Sequence, residues 1–146
     1  MTQNRILAAL AAFALLSPAA AHAELKAGAT APDFSAKGAL AGKPFDFSLK
    51  ALLKQGPVVL YFYPKAFTQG CTLEAHAFAE STPEFAKSGA TVIGMSNDDI
   101  ETLKKFSTAE CRDKFAVAAA TPAVIKAYDV DLKSNGVSSG YTTRTS

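Results

Sequence analysis

The chain has 146 residues, 49% of them hydrophobic, with 15 Lys and Arg against 13 Asp and Glu, and two cysteines. A net charge of +2 argues against nucleic acid or an anionic membrane as partner, since both demand a concentrated basic surface. Two cysteines are too few for a disulfide scaffold, so they form either one bridge or a reactive pair, in a chain long enough for one domain with a real core.

Residues 1–23 read as a secretory leader. Arg5 supplies the positive start, Ile6 to Leu16 the apolar run, and Ala21-His22-Ala23 a small-residue cleavage site. The run is too short and Ala-rich for a good membrane span, and no other stretch approaches one, so no stable membrane association is expected. The expected layout is a signal peptide over 1–23 and a single domain over 24–146, exported to the periplasm. Export would place Cys71 and Cys111 where disulfides form and persist.

Leu25 to Phe34 reads as an extended entry containing Ala31-Pro32-Asp33-Phe34. Phe45, Phe47 and Leu49 alternate with polar residues, which predicts a short half-buried strand. A helical turn over Leu49 to Lys54 is closed by Gly56-Pro57. Val58 to Tyr63 is apolar on both faces and rich in β-branched and aromatic residues, as in the middle of a parallel sheet. A helix begins near Cys71. Pro83 interrupts it, and Thr82-Pro83-Glu84 reads as a fresh cap, predicting a kinked or two-part helix to Lys87 stopped by Gly89.

Thr91 to Ser96 is the next strand. Asn97 or Asp98 caps a helix holding Ile100, Leu103 and Phe106. Phe115 to Ala119 forms another strand, and Thr121-Pro122 opens a helix to Tyr128. Lys133 to Thr143 is polar and Gly/Ser-rich, a predicted surface loop. Strand–helix alternation at this spacing predicts an α/β fold with a mostly parallel central sheet and flanking helices.

The chemistry concentrates in Pro64-Lys65-Ala66-Phe67-Thr68-Gln69-Gly70-Cys71, between the Val58 strand and the helix. A free thiol titrates near about 8.5, and lowering that to about 6 takes roughly 3.4 kcal/mol of preference for the thiolate. A helix N-terminus supplies typically ~0.3–1 kcal/mol, ~2 at best. Loop N–H groups and a cation must provide the rest. Two arginines follow the leader, Arg112 and Arg144, and a guanidinium suits a partly buried thiolate because it stays charged and offers several donors. Pro64 has no N–H, stiffens the loop, and can shield the sulfur from water.

Phe62-Tyr63-Pro64-Lys65 followed by Thr68-Gln69-Gly70-Cys71-Thr72-Leu73-Glu74-Ala75 resembles the bacterioferritin-comigratory, or Q-type, branch of the peroxiredoxins. Ala31-Pro32-Asp33-Phe34, Val92-Ile93-Gly94-Met95-Ser96 and Ala127-Tyr128-Asp129-Val130 resemble further segments of that family. The resemblance implies a thioredoxin-like fold and a thiol-dependent peroxidase with no organic cofactor or metal. It implies Cys71 as the peroxidatic cysteine, Thr68 as the peroxide-binding hydroxyl and Arg144, after the Gly-rich loop, as the active-site arginine. Hydroperoxide is the implied substrate and a thioredoxin-like dithiol protein the implied reductant.

Departures from the pattern remain. The position five residues after Cys71, cysteine in some members, is His76. Cys111 matches the resolving cysteine of other members, and a structural bridge to Cys71 is its other reading, which in the chain-entropy model would stabilise by ~4 kcal/mol. The family continues past its arginine with a strand and a helix, so the resemblance predicts a domain lacking its C-terminal strand and helix. A thiol–disulfide exchange protein is disfavoured because no Cys-x-x-Cys opens the helix; a non-catalytic thioredoxin-like module with a structural disulfide is the alternative from another class.

Overall fold

The computed structural model describes residues 24–146, so the expected leader lies outside the described residues. Among them, strands β1 (Ser35–Leu40), β2 (Lys43–Ser48), β3 (Val58–Phe62), β4 (Thr91–Ser96) and β5 (Ala116–Ala119) form one sheet in the order β2-β1-β5-β4-β3. Helices α1 (Leu49–Leu53), α2 (Gln69–Lys87), α3 (Ile100–Ala109) and α4 (Pro122–Ala127) flank it, and β6 (Asp131–Ser134) pairs with β7 (Val137–Thr142) in a separate hairpin. The fold is thioredoxin-like.

The expected parallel sheet is confined to β5-β4-β3; β1 runs antiparallel to both β2 and β5. The sheet is therefore mixed. The β1–β2 pairing follows from the turn at Ala41 and Gly42, both left-handed at φ 49° and 74°, a two-residue connection that forces the strands it joins antiparallel.

Strand parity divides the core into two layers. Tyr61, Tyr63, Val92 and Val117 face one side, with Cys71, Ala75 and Ala79 of α2, Leu103 and Phe106 of α3, and Cys111. Phe62, Ile93, Met95, Ala116 and Ala118 face the other, with Leu49 of α1, Val124 and Ile125 of α4, and Tyr128. Both cysteines thus occupy the α2/α3 layer. Gly94 serves that layer directly: a Cβ there would lie 2.9 Å from the Tyr61 ring, which stacks on Phe78 at 4.1 Å between centroids. Gly94→Ala is expected to cost about 1–3 kcal/mol through overpacking, read as a lower urea midpoint at an unchanged slope.

Helix α2 runs unbroken through Pro83. Thr82 does not cap a second helix; its hydroxyl donates to the Phe78 carbonyl at 2.8 Å. Packing on both sides of the proline, by Ala75 and Ala79 before it and Phe85 after it, holds the helix together despite the missing N–H. The cap of α3 is Asp99, which accepts from Thr102 N at 2.9 Å, rather than Asn97 or Asp98. The predicted loop over Lys133–Thr143 is largely the β6–β7 hairpin, turned by Asn135 and Gly136 at φ 50° and 79°.

Candidate active site

The β3–α2 connection is held from several directions. Tyr63 N donates to Met95 O at 2.9 Å, extending the ladder one residue past β3. Ala66 N donates to Asp98 Oδ2 at 2.8 Å, and Ser96 Oγ donates to the same oxygen at 2.8 Å. Phe67 adopts φ 63° with its ring edge-on to Phe106 at 5.2 Å, a left-handed conformation that a bulky residue takes only when its surroundings enforce it. Thr68 then occupies the N-cap position, and Cys71 falls in the first turn of α2.

Cys71 is buried, at 2% exposure. Arg144 Nη2 lies 3.2 Å from its Sγ, while Nη1 of the same guanidinium donates to Glu74 Oε2. One planar fork thus touches the sulfur and a carboxylate one turn along the helix, which fixes its orientation. Burial raises the Glu74 carboxyl above its ordinary range, and Arg144 offsets only part of that rise.

The segment carrying Arg144 is stitched residue by residue to the site. Thr142 Oγ1 donates to Tyr63 O at 2.6 Å, Thr143 N to Val130 O at 2.8 Å, and Phe62 N to Thr145 O at 2.7 Å. The hairpin before it is pinned by Asn97 Nδ2 donating to Gly140 O at 2.7 Å and by Lys65 Nζ over the Tyr141 ring. Gly70 completes the fit: a Cβ there would stand 3.3 Å from Arg144 Nη2, closer than ordinary van der Waals contact.

Of the residues expected at the site, Cys71 and Arg144 are in direct contact. Pro64 lies half-buried in the same connection. The Thr68 hydroxyl is exposed and donates to Lys65 O at 3.0 Å, which leaves its lone pairs open rather than directing its proton at the sulfur. Cys111 belongs to the same buried layer as Cys71, and both are free thiols. It is fully buried, and burial followed by the Glu110 and Asp113 carboxylates pushes its thiol well up. Around the two cysteines, the Tyr61 and Tyr63 hydroxyls are buried with no hydrogen-bond partner among the described residues.

Sequence reasoning missed Gly70, Phe67, Asp98 and Thr142. Of these only Gly70, a glycine directly before the key cysteine, left a readable signal.

A thioredoxin-like domain with one buried thiol at the start of a helix, faced by an arginine, defines the class of protein. The chain belongs to the AhpC/TSA family, which it matches over residues 27–146. Chloroplastic peroxiredoxin Q of Sedum lineare is 42% identical over 85 residues, 58% of this chain and 44% of that protein. Among solved structures, peroxidoxin BcpB from Mycobacterium tuberculosis superposes with a TM-score of 0.66 at 31% identity, over 80% of this chain and 72% of that one. Xanthomonas campestris peroxiredoxin Q gives 0.62 at 32%, over 74% and 68%. The chain spans about half the length of the curated relatives it matches.

Proposed function

We propose that this chain is a thiol peroxidase that reduces hydrogen peroxide or an alkyl hydroperoxide through Cys71. The observation that carries the reading is the 3.2 Å contact between Arg144 Nη2 and Cys71 Sγ in the first turn of α2. That contact favours negative charge on sulfur and holds donors where a leaving oxygen would develop charge. The kinship with peroxiredoxin Q and BcpB supports the same chemistry.

The thiolate of Cys71 attacks one peroxide oxygen and the O–O bond breaks. Sulfur is oxidised to the sulfenic acid, and the other oxygen leaves as alkoxide or hydroxide and takes a proton. Arg144 steadies the thiolate and then the departing oxygen. Pro64 keeps bulk water from the sulfur, and the free lone pairs of Thr68 accept a hydrogen bond from the peroxide O–H, whose proton stays on the oxygen transferred to sulfur. Cys111 then condenses with the sulfenic acid, forming the disulfide and releasing one water. A thioredoxin-like dithiol returns both thiols by two-electron exchange and leaves as its own disulfide. The leader over residues 1–23 supports export to the periplasm as the place of action.

The test is steady-state turnover of the leader-free protein with hydrogen peroxide or an alkyl hydroperoxide and a thioredoxin-type reductant. Consumption proportional to enzyme supports the proposal. Background consumption with every peroxide and reductant tried contradicts it and favours a non-catalytic thioredoxin-like module.

A further inference from the structure

A hydrogen bond and an ion pair join α2, which carries Cys71, to the turn that carries Cys111. His76 Nε2 meets Glu110 Oε2 at 2.7 Å, and Arg112 Nη1 donates to Glu80 Oε1 at 3.1 Å. His76 and Glu80 are four residues apart, hence on one face of α2, and Glu110 and Arg112 immediately flank Cys111. These two pairs are the polar contacts between α2 and the turn among the described residues. Cys111 is therefore clasped from both sides against the helix that holds the other thiol, in an arrangement with no bond between the sulfurs.

The turn itself is under tension. Arg112 and Asp113 are consecutive non-glycine residues in the left-handed region, at φ 52° and 58°, where L side chains carry a steric penalty. Backbone bonds from Cys111 N to Phe106 O at 3.0 Å and from Asp113 N to Ser107 O at 3.1 Å fold it back onto α3. Cys111 is fully buried there, so its thiol meets solvent and base when the turn opens.

We propose that the His76–Glu110 and Glu80–Arg112 pairs form a clasp that sets how often the Cys111 turn opens, and hence the rate at which Cys111 resolves oxidised Cys71. The clasp opposes the strain stored in the turn, so weakening it speeds opening. Its resolving role rests on the peroxidase reading; its control of Cys111 exposure does not. The four residues position Cys111 and touch no substrate.

The test is the alkylation rate of Cys111 by iodoacetamide in a Cys71→Ser background, followed by disulfide formation in the two-cysteine chain after a pulse of peroxide. His76→Ala, Glu80→Arg and Arg112→Glu should each speed alkylation of Cys111 about threefold to tenfold, as expected for loss or reversal of a partly exposed pair. His76→Gln, which keeps a donor for Glu110, and the double swap E80R/R112E should return to within about twofold of the parent. Disulfide formation should accelerate in the same order, while formation of the Cys71 sulfenic acid is unchanged. Alkylation rates unmoved by the single variants, or equally raised in the double swap, would overturn the clasp. Faster alkylation without any sulfenic acid would uphold the clasp and overturn the peroxidase reading instead.

Discussion

Cys71→Ser is expected to bring peroxide consumption down to solvent background. Serine offers an alkoxide precursor whose pKa lies far above that of a thiol, and its oxygen cannot expand to a sulfenic acid. The loss should be at least ~10³-fold, the range seen when an activated nucleophile is removed from its site. Stability should change by no more than about 1 kcal/mol, because the replacement is nearly isosteric and Arg144 Nη2 still has an acceptor. Thermal unfolding alongside turnover separates the two effects. Peroxidase activity persisting in the variant would move the chemistry to Cys111 or abolish the account.

The second large effect is expected at Arg144. Removing one preorganised donor from developing negative charge typically lowers the rate ~10²–10³-fold, and Arg144→Ala should fall in that range for peroxide oxidation of Cys71. Arg144→Lys should recover only part of it. A single ammonium cannot reach the sulfur and Glu74 together, as the guanidinium fork does. Glu74→Gln should retain more activity than either, since it keeps an acceptor for Nη1 and leaves the Nη2 contact in place. Rates of Cys71 oxidation, read by competition with a thiol of known reactivity, give this order directly. Equal rates for all three variants would show that the arginine contact is incidental.

Much of this site was legible because it is local. Val58 to Tyr63 is continuously apolar, the next ten residues carry Pro, Thr and Cys in a tight corner, and the chain there has few ways to fold. Arg144 lies 73 residues from Cys71; composition left Arg112 and Arg144 as the candidate cations, and the family resemblance chose between them. Of the threads that bring it there, the Phe62–Thr145 pairing is backbone to backbone and leaves no mark in residue type, and the Thr142 hydroxyl meets the Tyr63 carbonyl from 79 residues away, too far along the chain to be read from sequence.

What escaped the sequence escaped for physical reasons. β1 is Ser-Ala-Lys-Gly-Ala-Leu, weak in every strand preference, and it sits inside the sheet because Gly38 and the alanines admit close neighbours: a Cβ at Gly38 would stand 3.0 Å from Val117 O. Tertiary packing there overrides propensity. The β6–β7 hairpin did leave a sign, Asn135-Gly136, a pair suited to two left-handed residues in succession; the polar composition around it drew attention away. His76 reads as a surface helix residue until its partner, 34 residues away, is seen.

The central claim, that Cys71 is the peroxidatic thiol and Cys111 its resolving partner, is tested most directly by adding one equivalent of hydrogen peroxide to the reduced protein spanning residues 24–146. Thiol count and intact mass are then read over seconds. The account predicts loss of both thiols and a mass two hydrogens lower, with peptide mapping giving a single Cys71–Cys111 bridge. Two thiols surviving for minutes, or an oxygen added at Cys111 with Cys71 untouched, would contradict it.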